Sequence, residues 1–181
     1  MAFSICRTAS RSPIACLTAA TVGTTSLLCT LILYAQTSHR LGDDVVPLFQ
    51  KIDLQLDPGE SHYKGQVSIE IRVTRPTDGF RLHAEDLTVE HVKLRNGDGQ
   101  IPVEFALDPG TLVVRAGDAP VTGSYILDIE FSNDFDIQAS ALYRVESGAD
   151  SYVFTQFEPD DARQAFPCWD EPAFKIPYQR S

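Results

Sequence analysis

Gln66-Val67-Ser68-Ile69-Glu70-Ile71-Arg72-Val73 changes from polar to apolar at every step. Successive side chains of an extended chain point to opposite faces. This stretch therefore puts Val67, Ile69, Ile71 and Val73 on one side and Gln66, Ser68, Glu70 and Arg72 on the other. A helix would scatter both sets around its axis. The same beat occurs on either side: Ile52, Leu54 and Leu56 alternate with Lys51, Asp53 and Gln55, and Tyr125, Leu127, Ile129 and Phe131 alternate mainly with polar residues. Each pattern predicts a strand with one face on a core and one in water, as antiparallel sheets have.

The punctuation agrees. Asp57-Pro58-Gly59, Asn96-Gly97 and Asp108-Pro109-Gly110 are turn sequences, and Arg75-Pro76-Thr77-Asp78-Gly79 is a further break. Shorter runs at Phe80–Ala84, Leu87–Leu94, Val103–Leu107 and Thr111–Arg115 fill the intervals, and no amphipathic helix of three turns stands out. Short strands separated by turns predict an all-β domain, either an antiparallel β-sandwich or a set of open sheets. The pattern stops near the end. Pro159, Pro167, Pro172 and Pro177 forbid a continuous helix or a central strand from Phe157 onward. Phe157, Phe166, Trp169 and Phe174 nevertheless give this stretch much apolar area to bury, so it should pack onto the domain.

Charge divides the chain in two. It has 181 residues, 25 acidic and 15 basic side chains and a net charge of −10. No acid precedes Asp43, whereas Arg7 and Arg11 do. This balance excludes a chain-wide nucleic-acid role, which needs clustered Lys and Arg. Between Ser12 and Ser38 no side chain is charged, and Ile14–Ala35 is apolar with five Thr and one Ser. A basic start and an uncharged apolar run predict an export leader over residues 1–38, forming an apolar leader helix. It is either a cleaved signal peptide or a signal-anchor that tethers the protein to a membrane with Arg7 and Arg11 inside. A lipoprotein site at Cys16 and an organelle transit peptide are lesser readings. Export implies an extracytoplasmic location, periplasmic or extracellular. Cys6, Cys16 and Cys29 fall in the leader, which leaves Cys168 as a small buried hydrophobe.

Catalytic apparatus is harder to find. His39, His62, His83 and His91 include no pair one helical turn apart, so a helical zinc site is absent, and His83 and His91 are expected to be exposed on separate strands. There is no Gly-rich phosphate loop and no nucleophile elbow. The acid pairs Asp160-Asp161 and Asp170-Glu171 are expected to be solvated or to bond turns. No catalytic residue and no metal ligand is assigned.

The stretch Thr155-Gln156-Phe157-Glu158-Pro159-Asp160-Asp161-Ala162-Arg163-Gln164-Ala165-Phe166-Pro167-Cys168-Trp169-Asp170-Glu171-Pro172-Ala173-Phe174-Lys175 resembles the end of the amino-terminal β domain in the aminopeptidase N family of zinc metallopeptidases. That family reads T-Q-F-E-P-x-x-A-R-x-A-F-P-C-[FW]-D-E-P-x-F-K. The likeness extends upstream to Phe49–Pro58, to Tyr63-Lys64-Gly65-Gln66-Val67-Ser68-Ile69, to Leu82-His83-Ala84-Glu85-Asp86-Leu87, and to Leu142-Tyr143-Arg144. Ala141 stands where the family has Gly, and Phe49 where Tyr is usual.

The resemblance implies saddle-shaped open sheets over residues 39–181, truncated at the C-terminal edge of the domain. It also implies two substrate-binding residues. Glu158 would bind the free α-amino group of a peptide, and Gln156 would line the pocket for its first side chain. A carboxylate facing an ammonium forms a charge-assisted hydrogen bond, and Pro159 restricts the conformations of Glu158. Zinc is implied for a full-length family member, with a zinc-bound water as nucleophile, but its ligands would lie in the next domain. The expectation is a substrate-docking domain of a zinc-dependent aminopeptidase, present without its catalytic domain and inactive alone. Its partners would be peptide N-termini and that missing domain. A non-catalytic peptide- or protein-binding module of the same fold, or a frameshifted gene remnant, are the alternatives.

Overall fold

The computed structural model describes residues 40–180, apart from 98, 118 and 119. The leader predicted at residues 1–38 lies wholly outside them. Among the described residues no helix is long and apolar enough to cross a membrane. The elements are β1 (Val45–Gln55), β2 (His62–Val73), β3 (Gly79–His83), β4 (Thr88–Asn96), β5 (Gly99–Ile101) and β6 (Val103–Asp108). They continue with β7 (Thr111–Ala116), β8 (Gly123–Asp134), β9 (Ala141–Ser147), β10 (Asp150–Gln156), the single turn α1 (Ala162–Ala165) and β11 (Tyr178–Arg180).

These strands form three open sheets, in the orders β11-β1-β2-β8-β4-β5, β3-β7-β6 and β10-β9. All pairings are antiparallel except that of β11, which runs parallel to β1 with Tyr178 opposite Gln50. The all-β reading therefore holds. Turn chemistry closes the connections as expected: Asp57 Oδ1 accepts the Gly59 N–H at 2.8 Å, and Gly110 has a φ of +74° between β6 and β7.

The alternating residues that predicted strands build the core. Val67, Ile69, Ile71 and Val73 of β2 and Tyr125, Leu127, Ile129 and Phe131 of β8 are all buried, and β3 and β7 add Leu82, Leu112 and Val114 to the same cluster. Each such side chain stabilises the fold by about 1.5–3 kcal/mol relative to exposure. Gly65 belongs to this packing, since a Cβ there would lie 2.5 Å from Phe131 Cζ and 2.8 Å from Leu54 Cδ2. Only a residue without a side chain lets β2 pass the ring so closely.

Strand β1 corrects the simple alternation. Its register shifts between Pro47 and Phe49, so that Gln50 turns inward and is buried along with Ile52. Leu56, predicted to face the core, is 43% exposed because the strand has ended at Gln55 and the chain is leaving into a turn. In the β9–β10 hairpin, β10 carries no apolar–polar alternation. Its alternate residues Tyr152 and Phe154 are half-exposed aromatics while Val153 is half-buried, so both faces are apolar and the period of two is masked.

Candidate functional site

Gln156 closes β10 and pairs with Ala141 at the start of β9. Along β10, Tyr152, Phe154 and Gln156 point to one face, and across the hairpin Val145, Tyr143 and Ala141 share it. The rings of Tyr143 and Phe154 stack with centroids 5.6 Å apart, and those of Tyr152 and Phe154 lie 6.5 Å apart. Gln156 thus ends an exposed aromatic ladder. Sequence reasoning missed these aromatics, although the run Tyr152-Val153-Phe154 was their signal.

Beyond Gln156 the chain leaves the sheet. Phe157 turns inward, edge-on to Phe166 at 5.7 Å, while Glu158 stays exposed and its peptide bond to Pro159 is cis. The Asp161 N–H donates to the Phe157 carbonyl at 3.1 Å, which closes a turn around Glu158, Pro159 and Asp160, and α1 follows. Gln156 and Glu158, the two predicted binding residues, therefore emerge into solvent on either side of an anchored Phe157.

The following stretch is fastened to two sheets. On the six-stranded sheet, Gln50 Nε2 donates to the Pro167 carbonyl at 2.9 Å, Tyr63 Oη to Ala165 at 2.9 Å, and Asn133 Nδ2 to Gln164 at 2.9 Å. On the three-stranded sheet, His83 and Cys168 exchange backbone hydrogen bonds of 2.9 and 3.0 Å, and Trp169 stacks on Phe80 at 6.1 Å. Arg163 bonds Asp170 twice, from Nε to Oδ2 at 3.1 Å and from Nη2 to the backbone carbonyl at 2.9 Å. Glu171 Oε1 accepts the Leu41 N–H at 2.7 Å. The acid pair Asp170-Glu171 is therefore engaged in turns and pairs.

His83 corrects an expectation. It is buried, not exposed, and its Nδ1 accepts the Asp170 N–H at 3.2 Å. Its strand lies where the loop docks, so the face that alternation left to solvent is covered by sequence far away in the chain. Burial also sets the titration of two neighbours. It pushes the Cys168 thiol far up, with the Asp170 carboxylate adding to the shift and Arg163 opposing it. It raises the Tyr63 phenol well above its usual value, against a smaller opposing effect of the Asn133 hydrogen bond.

The described residues do not fit a metal. Among the described residues no three His, Cys, Asp or Glu side chains converge. His62 and His91 are exposed on separate strands, and the Nδ1 of His83 is already an acceptor.

Comparison with known proteins meets this geometry. The model of the Peptidase M1 N-terminal domain matches residues 46–181. The chain is 31% identical over 147 residues to Aminopeptidase M1-D of Oryza sativa subsp. japonica, covering 77% of this chain and 17% of the relative. It is 33% identical over 147 residues to Aminopeptidase M1-C of the same organism, covering 77% and 16%. Against Aminopeptidase 2, mitochondrial, of Saccharomyces cerevisiae it is 30% identical over 153 residues, covering 76% and 15%. The chain thus spans about a sixth of the length of these curated relatives.

Proposed function

The chain belongs to the Peptidase M1 N-terminal domain family, and from that premise we propose that it is the substrate-docking domain of an aminopeptidase, with Glu158 as the anchor for a free α-amino group. The observation that carries this reading is the exposure of Gln156 and Glu158 on either side of the half-buried Phe157, where a hairpin meets a loop fastened to two sheets. A carboxylate held there accepts charge-assisted hydrogen bonds from an ammonium. A blocked amine carries no charge and leaves the carboxylate unpaired, so the contact selects free N-termini. The Gln156 amide, on the same exposed stretch, lines the space for the first side chain. In this reading the rest of an aminopeptidase closes over the pair and removes water from it, which strengthens the ionic contact.

The zinc that the family resemblance implies has no ligand set among the described residues. No hydrolytic step is therefore assigned to this domain's own groups, which bind and orient. The test is the change matching Glu158→Gln in a full-length relative. It should raise KM for a free-amine substrate about ten- to a hundredfold, the value of a charged hydrogen bond. Unchanged kinetics would remove the role from Glu158. A second reading, a non-catalytic peptide- or protein-binding module, draws on the exposed Tyr152 and Phe154; it requires free and N-acetylated peptides to bind equally.

A further inference from the structure

The turn that carries Glu158 has little holding it from inside. Glu158, Pro159 and Asp160 are exposed, and the backbone closure is the Asp161 N–H to the Phe157 carbonyl. The guanidinium of Arg163 supplies a brace from outside. Its Nη1 lies 3.9 Å from Asp160 Oδ2, within the turn, while Nε and Nη2 hold the side chain and backbone of Asp170. Asp170 is fixed in its turn by the bond from its N–H to buried His83 on β3. The Arg163 side chain is only 16% exposed and its Asp170 partner 21%, so the fork is shielded where it meets Asp170 and reaches outward to the more exposed Asp160. One planar fork therefore links the turn to the three-stranded sheet.

We propose that Arg163 is the positioning residue for Glu158, setting the direction in which the carboxylate meets the ammonium of a peptide. This rests on the reading of Glu158 as the amine anchor. Lysine keeps the charge at this position but presents a single ammonium, which cannot hold both Asp170 atoms and still reach Asp160.

The test has two arms. In the full chain, NMR relaxation should show the Glu158 and Asp160 amides rigid in the wild type, with order parameters of about 0.85. In Arg163→Lys they should fall below about 0.6 while β2 and β8 stay unchanged. In a full-length relative, the matching Arg-to-Lys change should raise KM for a free-amine substrate about tenfold and leave kcat within about twofold. Combined with the change matching Glu158→Gln it should add no further loss, which a merely structural defect would not produce. If Arg163→Lys unfolds the chain, Asp160→Ala serves instead, because that side chain is 59% exposed and cutting it breaks only the turn side of the brace. Order parameters that do not move overturn the proposal, as does a disordered turn with unchanged KM. If the Glu158 change itself leaves KM unaltered while Arg163→Lys disorders the turn, the amine reading is what has failed, and the positioning role falls with it.

Discussion

Ala141, held at a φ of +51° and buried, sits directly across the hairpin from Gln156. Left-handed backbone costs an L-residue about 1–2 kcal/mol and suits Gly, which is what the family resemblance has at this position.

Replacing Ala141 sets three effects against one another. Ala141→Gly relieves the backbone cost, loses about 0.5–1 kcal/mol to unfolded-chain entropy, and loses about 0.8 kcal/mol from one buried methyl. These nearly cancel, so urea unfolding should shift by less than about 1 kcal/mol. Ala141→Val has no such compensation and should destabilise by about 2 kcal/mol or more. Equal stability of the two variants would show that residue 141 is not left-handed.

Gly65→Ala should destabilise by about 1–3 kcal/mol, because the new methyl overlaps Phe131 and Leu54 in a closed core. Phe131→Leu withdraws the ring, so the double variant should be clearly more stable than the sum of the two single losses predicts. Strict additivity in denaturant titrations would mean that the ring is not what Gly65 accommodates.

Tyr63→Phe leaves the Ala165 carbonyl without its phenol donor and should cost about 1–2 kcal/mol near pH 7. The gap then depends on pH. Burial raises the folded-state value of Tyr63, so the folded chain retains the phenol proton where the unfolded chain loses it. Wild-type stability is full below about pH 10, the unfolded value, and falls as pH rises toward the folded one. The difference between wild type and Tyr63→Phe should therefore shrink above about pH 10 in midpoints measured from pH 7 to 11. Cys168, also raised by burial, titrates in both proteins and drops out of the difference. A constant gap would refute the buried phenol.

Much of the sheet was legible because residues such as Val67, Ile69, Leu127 and Ile129 carry their environment in their spacing. One face meets core and the other meets water, and local pattern is enough. The β9–β10 hairpin was not legible for the complementary reason: Tyr152 and Phe154 are apolar but face outward, so spacing alone misassigns them. Gln156 and Glu158 were found through a contiguous motif, not through any periodicity. What the motif could not say is why Arg163 and Asp170 accompany them. Their meaning lies in His83, 87 positions away from Asp170, and no local pattern reports a buried imidazole accepting a distant N–H.

Sequence separation has a consequence for folding. The anchors of the Glu158 loop come from Gln50, Tyr63 and His83, which are separated by 117, 102 and 87 positions from their partners in the loop. Loops of that length close late, after the entropy of bringing both sheets together has been overcome. The loop that carries Glu158 is therefore fastened only when the rest of the domain is already assembled. A half-folded chain would display the motif's residues without the two-sheet anchorage of their loop.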